Sequence, residues 1–349
     1  MDLYIHDADL VGIGIIDYAE SVLWVKRYFD SGDFEIYVRA GVDTAELLKE
    51  GHFVTRSDDD AVGIIEAVKI TSDVENGDYI TATGIMMDGI ISRRVISKQT
   101  IVSGTVSECI YRLITENCVT SRPFPRFRML EWPDAGTALY RAQYTGDNLK
   151  TAVVEICKAR GIGNRVRLDA RRTTFIYELY EGIDRSERQS ENAHVTFSAE
   201  FDNIASAEYF LDTSAHKNFA YIAGEGEGSA RKITSTHSGS AEPSGYARRE
   251  VWIDARDAST NGGEVSADDY TAQLKARGSE SLTESSVVES FAGEILNAYT
   301  YVYGEDYFLG DIVTVRDNYG HALDVRITEV IECEDANGKT IIPKFEGWG

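Results

Sequence analysis

The residues able to do chemistry are scattered along this chain, and their spacing matches no familiar catalytic or metal-binding motif. The six histidines stand singly, with no HxH or HxxxH pair that would bring two imidazoles to one metal ion. The run Asp58-Asp59-Asp60 offers the oxygen ligands that calcium prefers, but it lacks the spacing of an EF-hand and is typical of a solvated turn. No G-x-S-x-G elbow is present, and the carboxylates are too numerous for a glycosidase pair to be picked out. The sequence therefore predicts no catalytic, cofactor-binding or metal-binding residues, and no enzymatic activity.

Two stretches have features of an anion site, and both have a simpler interpretation. Residues 224–228, GEGEG, resemble a phosphate loop but lack its Lys and Ser/Thr, and their two glutamates would repel phosphate. We interpret them as a hairpin loop. The arginines Arg165, Arg167, Arg171 and Arg172 fit the outer faces of a solvated strand pair.

The charge of the chain excludes one class of partner. A formal net charge of −23 argues against a nucleic-acid-binding protein, which needs a basic surface to neutralise phosphates. The charge is also uneven. Residues 105–180 contain 12 Lys and Arg against 8 Asp and Glu, a net of +4, so the rest of the chain carries −27.

Length and composition indicate a globular protein of two to four domains, with 349 residues and 43% hydrophobic content. No apolar run approaches the roughly 18 residues that a membrane-spanning helix needs. Asp2, Asp7 and Asp9 stand where a signal peptide would be basic, so we expect synthesis and retention in the cytosol. The four cysteines form no CxxC pair and are predicted to be buried thiols: Cys109, Cys118, Cys157 and Cys333.

The elements that must position any site are predicted to be mainly strands. Residues 3–96 contain six or seven short strand patterns, the last at residues 90–96, with no long helix between them. Such a series favours a small barrel or sandwich, because closure removes exposed edges.

Helical signals begin at Thr105. Thr105 and Glu108 form a T-x-x-E capping box ahead of apolar residues at helical spacing, which predicts a helix over 105–117 and a domain boundary near Gly104. A second helix is predicted from 147 to 160, with Gly161 as its stop, and a third after Ser266.

The C-terminal block, residues 301–345, predicts a small antiparallel meander. Turn residues at 318–320 (NYG) and 337–338 (NG) separate its strand patterns. In the middle strand Val325 and Ile327 alternate with polar residues, so one face is expected to be buried and the other to stay wet: Asp324, Arg326 and Thr328. The meander is too short to close a core, so it needs partner strands, which we expect from residues 201–232.

The order and spacing of several motifs resemble the tail-tip or baseplate-hub proteins of long-tailed bacteriophages, the tail-associated family of siphophages. The resemblance covers most of the chain. The motifs are GDFEIYV at 32–38, GIIE at 63–66, TG at 83–84 with ISRRVI at 91–96, AGEGEG at 223–228, LGDIV at 309–313 and ITEV at 327–330.

This resemblance implies an α+β, mainly β fold: two small antiparallel β-barrel domains with two inserted α+β domains. The implied domains are the first barrel at 1–104, an α+β insertion at 105–200, a discontinuous second barrel at 201–232 with 300–349, and a second α+β insertion at 233–299. Three copies of two similar barrels would present a pseudo-sixfold surface to a sixfold tail tube.

The resemblance also implies a role and a set of partners. The chain would be a structural component of a phage or prophage tail tip, a homotrimeric ring that caps the tail tube and lets DNA pass. Its partners would be the tail tube, distal tail, tape-measure, and fibre or spike proteins, with DNA met only in passage. It would be assembled in the host cytoplasm and reside in the virion tail. Many relatives continue into a hydrolase or host-binding region, and because this chain stops at Gly349 we expect neither activity here.

A function of another class remains open from the residues themselves. A carbohydrate-active enzyme or glycan-binding β module acting on the host cell wall would use aromatic rings to stack on sugars. The 19 Tyr and 4 Trp supply such rings. Turnover of peptidoglycan or glycans by the purified protein would distinguish this alternative from a structural role.

Overall fold

The chain is mostly β-structure, with 43% of its residues in strands and 21% in helices in a computed structural model. The structure describes residues 1–75, 77–132, 139–169, 171, 173–256, 258, 260, 265–295 and 300–347. The chain forms two compact units. Unit 1 is Met1–Glu208 with Phe291–Gly349, and unit 2 is Tyr209–Ser290. The finer division into four domains stays a prediction.

The strands and helices of unit 1 follow one another along the two segments of its chain. Its helices are α1 (Val42–Leu47), α2 (Val106–Ile114) and α3 (Leu149–Arg160). Its strands are β1 (Leu3–His6), β2 (Gly12–Ile16), β3 (Ser21–Arg27), β4 (Asp33–Arg39), β5 (Phe53–Arg56), β6 (Val62–Asp73), β7 (Gly77–Met86), β8 (Thr100–Thr105), β9 (Phe127–Met129), β10 (Leu139–Tyr144), β11 (Gly163–Leu168), β12 (Phe175–Tyr180), β13 (Thr196–Ser198), and later in the chain β19 (Ile312–Arg316), β20 (Ala322–Asp335) and β21 (Gly338–Gly347).

Unit 2 is reached and left through two strands, β14 (Ile204–Asp212) and β18 (Val288–Ile295). Between them lie β15 (Phe219–Ala223), β16 (Ile233–His237), β17 (Glu250–Asp254) and the long helix α4 (Ala267–Glu284). The Ser266 hydroxyl accepts a hydrogen bond from the Asp269 backbone N–H and caps α4, which confirms the predicted third helix start.

The large sheet runs in the order β14-β18-β21-β20-β3-β4-β7-β6-β5-β1-β2, with β13 and β19 attached beside β20. In the described part of the chain these pairings trace an open path, and no closed barrel is found. The first seven strands enclose a core of their own, because side chains such as Trp24, Phe34 and Ile36 alternate onto one buried face. A second core packs α2 and α3 against the short sheets β10-β8 and β11-β12-β9.

The capping signals of the helices in unit 1 are confirmed. The Thr105 hydroxyl accepts from the Glu108 N–H while the Glu108 carboxylate accepts from the Thr105 N–H. Gly161 ends α3 with φ +67, the left-handed conformation that favours glycine. One strand prediction is wrong: residues 90–96 do not extend β7 but belong largely to a 3₁₀ helix, Met87–Arg93. Five consecutive residues of this helix, 87–91, are buried, whereas a half-buried strand turns every second side chain to solvent.

The predicted C-terminal meander is confirmed, since β19, β20 and β21 pair antiparallel through turns at 318–320 and 337–338. Its strand neighbours are β3, paired with β20, β13, paired with β19, and β18, which lies beside β21. The prediction that its direct partners come from residues 201–232 is therefore wrong. From residues 201–232, β14 joins the same sheet beyond β18, and β15 lies in a separate sheet of unit 2.

The expectation of a wet face on β20 is wrong. Asp324, Arg326 and Thr328 are all buried. Asp324 accepts a hydrogen bond from the Thr314 hydroxyl at 2.8 Å, and Arg326 donates to the Gly310 carbonyl at 2.6 Å. The middle of β20 is therefore covered on both faces, and the charged groups Asp324 and Arg326 both have polar contacts inside the protein.

All four cysteines are free thiols, and three of them are buried. Burial raises the pKa of Cys118 and of Cys157 to about 12, so both are inert at neutral pH. Among the described residues, no helix combines the length and the apolar character needed to cross a membrane.

Candidate functional site

The densest cluster of charged side chains in unit 1 lies where the first strands meet the last. β3 pairs with β20 so that Trp24 stands opposite Glu332, and Lys26 lies two residues further along β3, on the same face. Arg56 ends β5, and the following loop contributes two aspartates. We call the resulting set the charge network: Lys26, Arg56, Asp58, Asp59, Glu332 and Lys339.

Glu332 is the centre of the charge network. Its carboxylate accepts from Arg56 at 2.9 Å, from Lys339 at 3.0 Å and lies 3.3 Å from Lys26. Asp58 takes a two-pronged contact from Arg56, at 2.9 and 2.7 Å, and Asp59 pairs with Lys26. Both Arg56, at 1% exposure, and Glu332, at 3%, are removed from water.

Three cations and three carboxylates balance one another in this network. Burial by itself would raise the pKa of Glu332, but Lys26 and Arg56 outweigh it and hold the pKa at about 2. The Arg56 guanidinium likewise holds the pKa of Asp58 below its ordinary value. The aromatic rings add to the cations' stabilisation, with Arg56 5.6 Å from the Trp24 ring centre and Lys26 5.1 Å from that of Tyr303.

The network is suited to holding strands together and unsuited to proton transfer. The pKa values of Glu332 and Asp58 are held below their ordinary range, so neither is poised near pH 7 as a general base would be. Each carboxylate of the network already has a cationic partner. The sequence predicted a solvated turn at residues 58–60, but two of these aspartates also form ion pairs: Asp58 with Arg56 and Asp59 with Lys26. Among the described residues, no group of three or more His, Cys, Asp or Glu side chains is placed to hold a metal ion.

A cavity of about 610 Å³ opens beside the network. Its other walls come from β11 and β12 and from the segment before β19. Arg165 and Arg167 line it and share the Glu178 carboxylate, at 2.7 and 3.0 Å. Asp88 also lines the cavity, and burial raises its pKa to about 7.

A second cluster is built on the LGDIV motif. Asp311 is 2% exposed and accepts from the Ile183 N–H at 2.7 Å, the Phe308 N–H at 3.0 Å and the Arg185 guanidinium at 2.7 Å. Its neighbour Gly310 has φ +97, and a Cβ there would lie 2.2 Å from the Tyr28 ring. These contacts fix the start of β19 against the segment 183–185 and place Gly310 against Tyr28, the residue after β3.

The remaining sequence candidates have structural surroundings. The GEGEG stretch is the loop between the antiparallel strands β15 and β16, as predicted. The Glu225 N–H donates to the Tyr270 hydroxyl at 2.8 Å, and Arg231 donates to the Gly224 carbonyl at 3.0 Å. Arg171 is exposed, and Arg172 lies outside the described residues.

Sequence reasoning missed the charge network and the Asp311 cluster, since both join positions far apart in the chain. Arg56 and Glu332 are 276 residues apart, and Ile183 and Asp311 are 128 apart. The sequence offered one signal: Asp311 lies in LGDIV at 309–313, one of the motifs that resemble siphophage tail proteins.

Three solved structures share this fold along nearly their whole length. The 43 kDa tail protein of prophage MuSo2 from Shewanella oneidensis has a TM-score of 0.63 at 14% identity, covering 99% of this chain and 98% of that one. The tail protein from Neisseria meningitidis MC58 has a TM-score of 0.61 at 13% identity, covering 99% and 95%. The prophage tail protein gp18 from Listeria monocytogenes EGD-e has a TM-score of 0.56 at 11% identity, covering 99% and 94%. The fold is thus that of phage tail proteins.

A sequence comparison narrows this class to a family. The model of the family described as Siphovirus ReqiPepy6 Gp37-like protein matches residues 2–345. The chain belongs to this family, which confirms the resemblance to siphophage tail proteins. A search of curated proteins found no match.

Proposed function

We propose that this chain is a baseplate hub, a structural component of a phage or prophage tail tip that forms a trimeric ring, caps the tail tube and lets DNA pass. The observation that carries the proposal is the agreement of two comparisons over the whole chain. The family match spans residues 2–345, and the three tail proteins cover 99% of the chain. If the whole chain acts as one assembly unit, its relatives are expected to match it over its full length.

The proposal includes two barrel domains, at 1–104 and at 201–232 with 300–349, separated by α+β insertions at 105–200 and 233–299. The separate core of the first seven strands supports the first barrel, and the covered strand β20 supports a packed C-terminal domain. Three copies of two similar domains offer six comparable surfaces to a sixfold tube. The domains should superpose despite their different sequences.

The ring would be lined by acidic or neutral side chains, because basic ones would bind phosphates and retain the genome. The net charge of −27 outside residues 105–180 supports this arrangement. In a trimer structure, the surfaces facing the axis should show more Asp and Glu than Lys and Arg. A lumen ringed by arginine, or one with no openable passage, would overturn this part of the proposal.

The hub needs no catalytic group, and we propose that the chain has no hydrolytic activity. The charge network supports this, since its carboxylates are occupied by Arg56, Lys26 and Lys339. The partners would be tail tube and distal tail proteins, the tape-measure protein, and fibre or spike proteins. Assembly would take place in the host cytoplasm before the chain enters the virion tail.

The test is electron cryomicroscopy of tails purified from the phage or prophage that encodes the chain. The expected map has three copies in a ring at the tube end, with two similar domains of each copy touching the tube. Six copies, or copies located away from the tube end, would overturn the hub. Zymography on bacterial cell walls provides a second check: a cleared band that disappears when one carboxylate is replaced would contradict a purely structural role.

A further inference from the structure

The three-stranded sheet of unit 2 has two different faces. On one face Ala220 and Ile222 of β15 are fully buried against Tyr270 and Leu274 of α4. The other face is lined by the alternate residues of the same strands. We call its central residues the aromatic face: Phe219, Tyr221, Arg248 and Trp252.

The aromatic face places three rings side by side. Tyr221 lies opposite Trp252 in the parallel pairing of β15 with β17, with ring centres 6.4 Å apart, and Phe219 lies 5.0 Å from Tyr221. Phe219 is 4% exposed, whereas Trp252 is 55% exposed. Ile233 of β16 is 51% exposed and opposes Ala223, so it extends the same face. A flat indole is therefore open to solvent beside covered rings.

Arg248 is fixed next to these rings. Its guanidinium lies 3.5 Å from the Phe219 ring centre and donates to the Tyr221 hydroxyl at 3.0 Å. Glu242 and Glu250 hold it from two sides, at 2.6 and 2.7 Å. Glu250 is two residues from Trp252 on β17 and so lies on the same face. The guanidinium and both carboxylates thus have set positions around the rings.

We propose that the aromatic face binds an uncharged saccharide. A pyranose ring has an apolar C–H face and a rim of hydroxyls that both donate and accept hydrogen bonds. The exposed Trp252 indole offers a flat surface on which the C–H face can stack. The Arg248 side chain offers a donor, and the Glu250 side chain an acceptor, for the hydroxyls. An apolar platform with a few fixed polar groups is the usual composition of a small-ligand site.

The charges around the face decide which polymer fits. The arginines around the face are engaged by carboxylates: Arg248 pairs with Glu242 and Glu250, and Arg231 and Arg256 pair with Asp254. These ion pairs therefore contain no excess of positive charge for a polyanion. With a net charge of −23 on the whole chain, a nucleic acid or another polyanion would be repelled. A neutral glycan meets no such barrier. This inference does not depend on the hub role, because a saccharide site is compatible with any position in the tail.

The experiment uses the full chain on an array of neutral and anionic glycans, followed by calorimetric titration of hexasaccharides of glucose, galactose, rhamnose and N-acetylglucosamine. We expect saturable binding of at least one neutral oligosaccharide. Trp252→Ala should weaken it about tenfold or more, which corresponds to about 1.4 kcal/mol. Trp252→Phe should retain most of the affinity, since a flat ring remains.

The matched control is Tyr319→Ala, which removes an 88% exposed ring from the β19–β20 turn of unit 1 and should leave binding unchanged. Circular dichroism establishes that each variant is folded, and Arg248→Gln gives a second test of the polar contacts. The proposal is overturned if no neutral glycan binds, if only nucleic acid or polyphosphate binds, or if Trp252→Ala binds as the wild type does. The saccharide site would also be contradicted if a protein partner displaced the bound sugar and free sugar did not.

Discussion

Replacing Glu332 by Gln is the sharpest test of the charge network. The amide keeps the shape of the side chain but removes the negative charge that three cations share, those of Arg56, Lys339 and Lys26. Arg56 would then remain buried with Asp58 as its main partner. Because an uncompensated buried charge is costly, we expect a large loss of stability and little change in overall shape.

The magnitude follows from the pKa of Glu332, which is about 2 against an ordinary value of 4.5. Each pKa unit corresponds to about 1.4 kcal/mol, so the ionised carboxylate stabilises the fold by about 3 kcal/mol at neutral pH. Removing one member of a buried pair costs about 3–5 kcal/mol, which agrees. Since the folded-state pKa is depressed, this stabilisation is present above pH 4.5 and is lost as the pH falls through about 2.

The assay is urea unfolding at pH 7 and at lower pH, with hydrogen exchange measured on peptides from β3 and β20 to localise the effect. The exposed carboxylate of Glu346 on neighbouring β21 provides the control, and Glu346→Gln should change stability by no more than about 0.5 kcal/mol. The reasoning is refuted if Glu332→Gln costs less than about 1 kcal/mol at pH 7, or if its difference from wild type is the same at pH 3 and pH 7.

Three further changes test other parts of unit 1. Gly310→Ala should lower the melting temperature more than Gly320→Ala: both glycines have positive φ, but only at Gly310 would the new Cβ meet the Tyr28 ring, at a cost of about 1–3 kcal/mol. Thr105→Ala should cost about 1 kcal/mol in urea unfolding by removing the capping box of α2, and equal stability would contradict that role. Burial raises the pKa of Asp88 to about 7, so ionisation of this carboxyl destabilises the fold progressively as the pH rises from about 4 through 7. Thermal melts should therefore show Asp88→Asn to be more stable than the wild type at pH 8 but not at pH 3.

Signals contained within a few residues were predictable from the sequence. The capping box of Thr105, the left-handed Gly161 and the turn at 318–320 each depend on local backbone geometry, and each was found where the pattern placed it. In β4 the apolar residues Phe34, Ile36 and Val38 alternate with polar ones and face the core, as the two-residue period of a strand requires. These features need no knowledge of the rest of the chain.

Strand neighbours and buried charges were not predictable in the same way. Alternation tells which face of a strand is apolar but not which strand lies beside it. The pairing of β3 with β20 therefore had no local signature, and Arg326 matched the pattern of a wet face. Arg326 is buried and donates to the Gly310 carbonyl in the segment before β19. Glu332 is buried against Arg56, a partner 276 residues away.

The same long-range contacts explain why unit 2 needs a core of its own. The bond between Arg56 and Glu332 closes a loop of 276 residues, and the sequence of unit 2 lies inside that loop. If residues 209–290 were disordered, they would add to the entropy cost of closing this loop and slow the pairing of β3 with β20. With α4 packed on β15 and β16, and with Tyr270 fully buried, the insertion has its own folded core. A folded insertion shortens the flexible part of the loop, so bringing Arg56 and Glu332 together costs less entropy than it would with a disordered one.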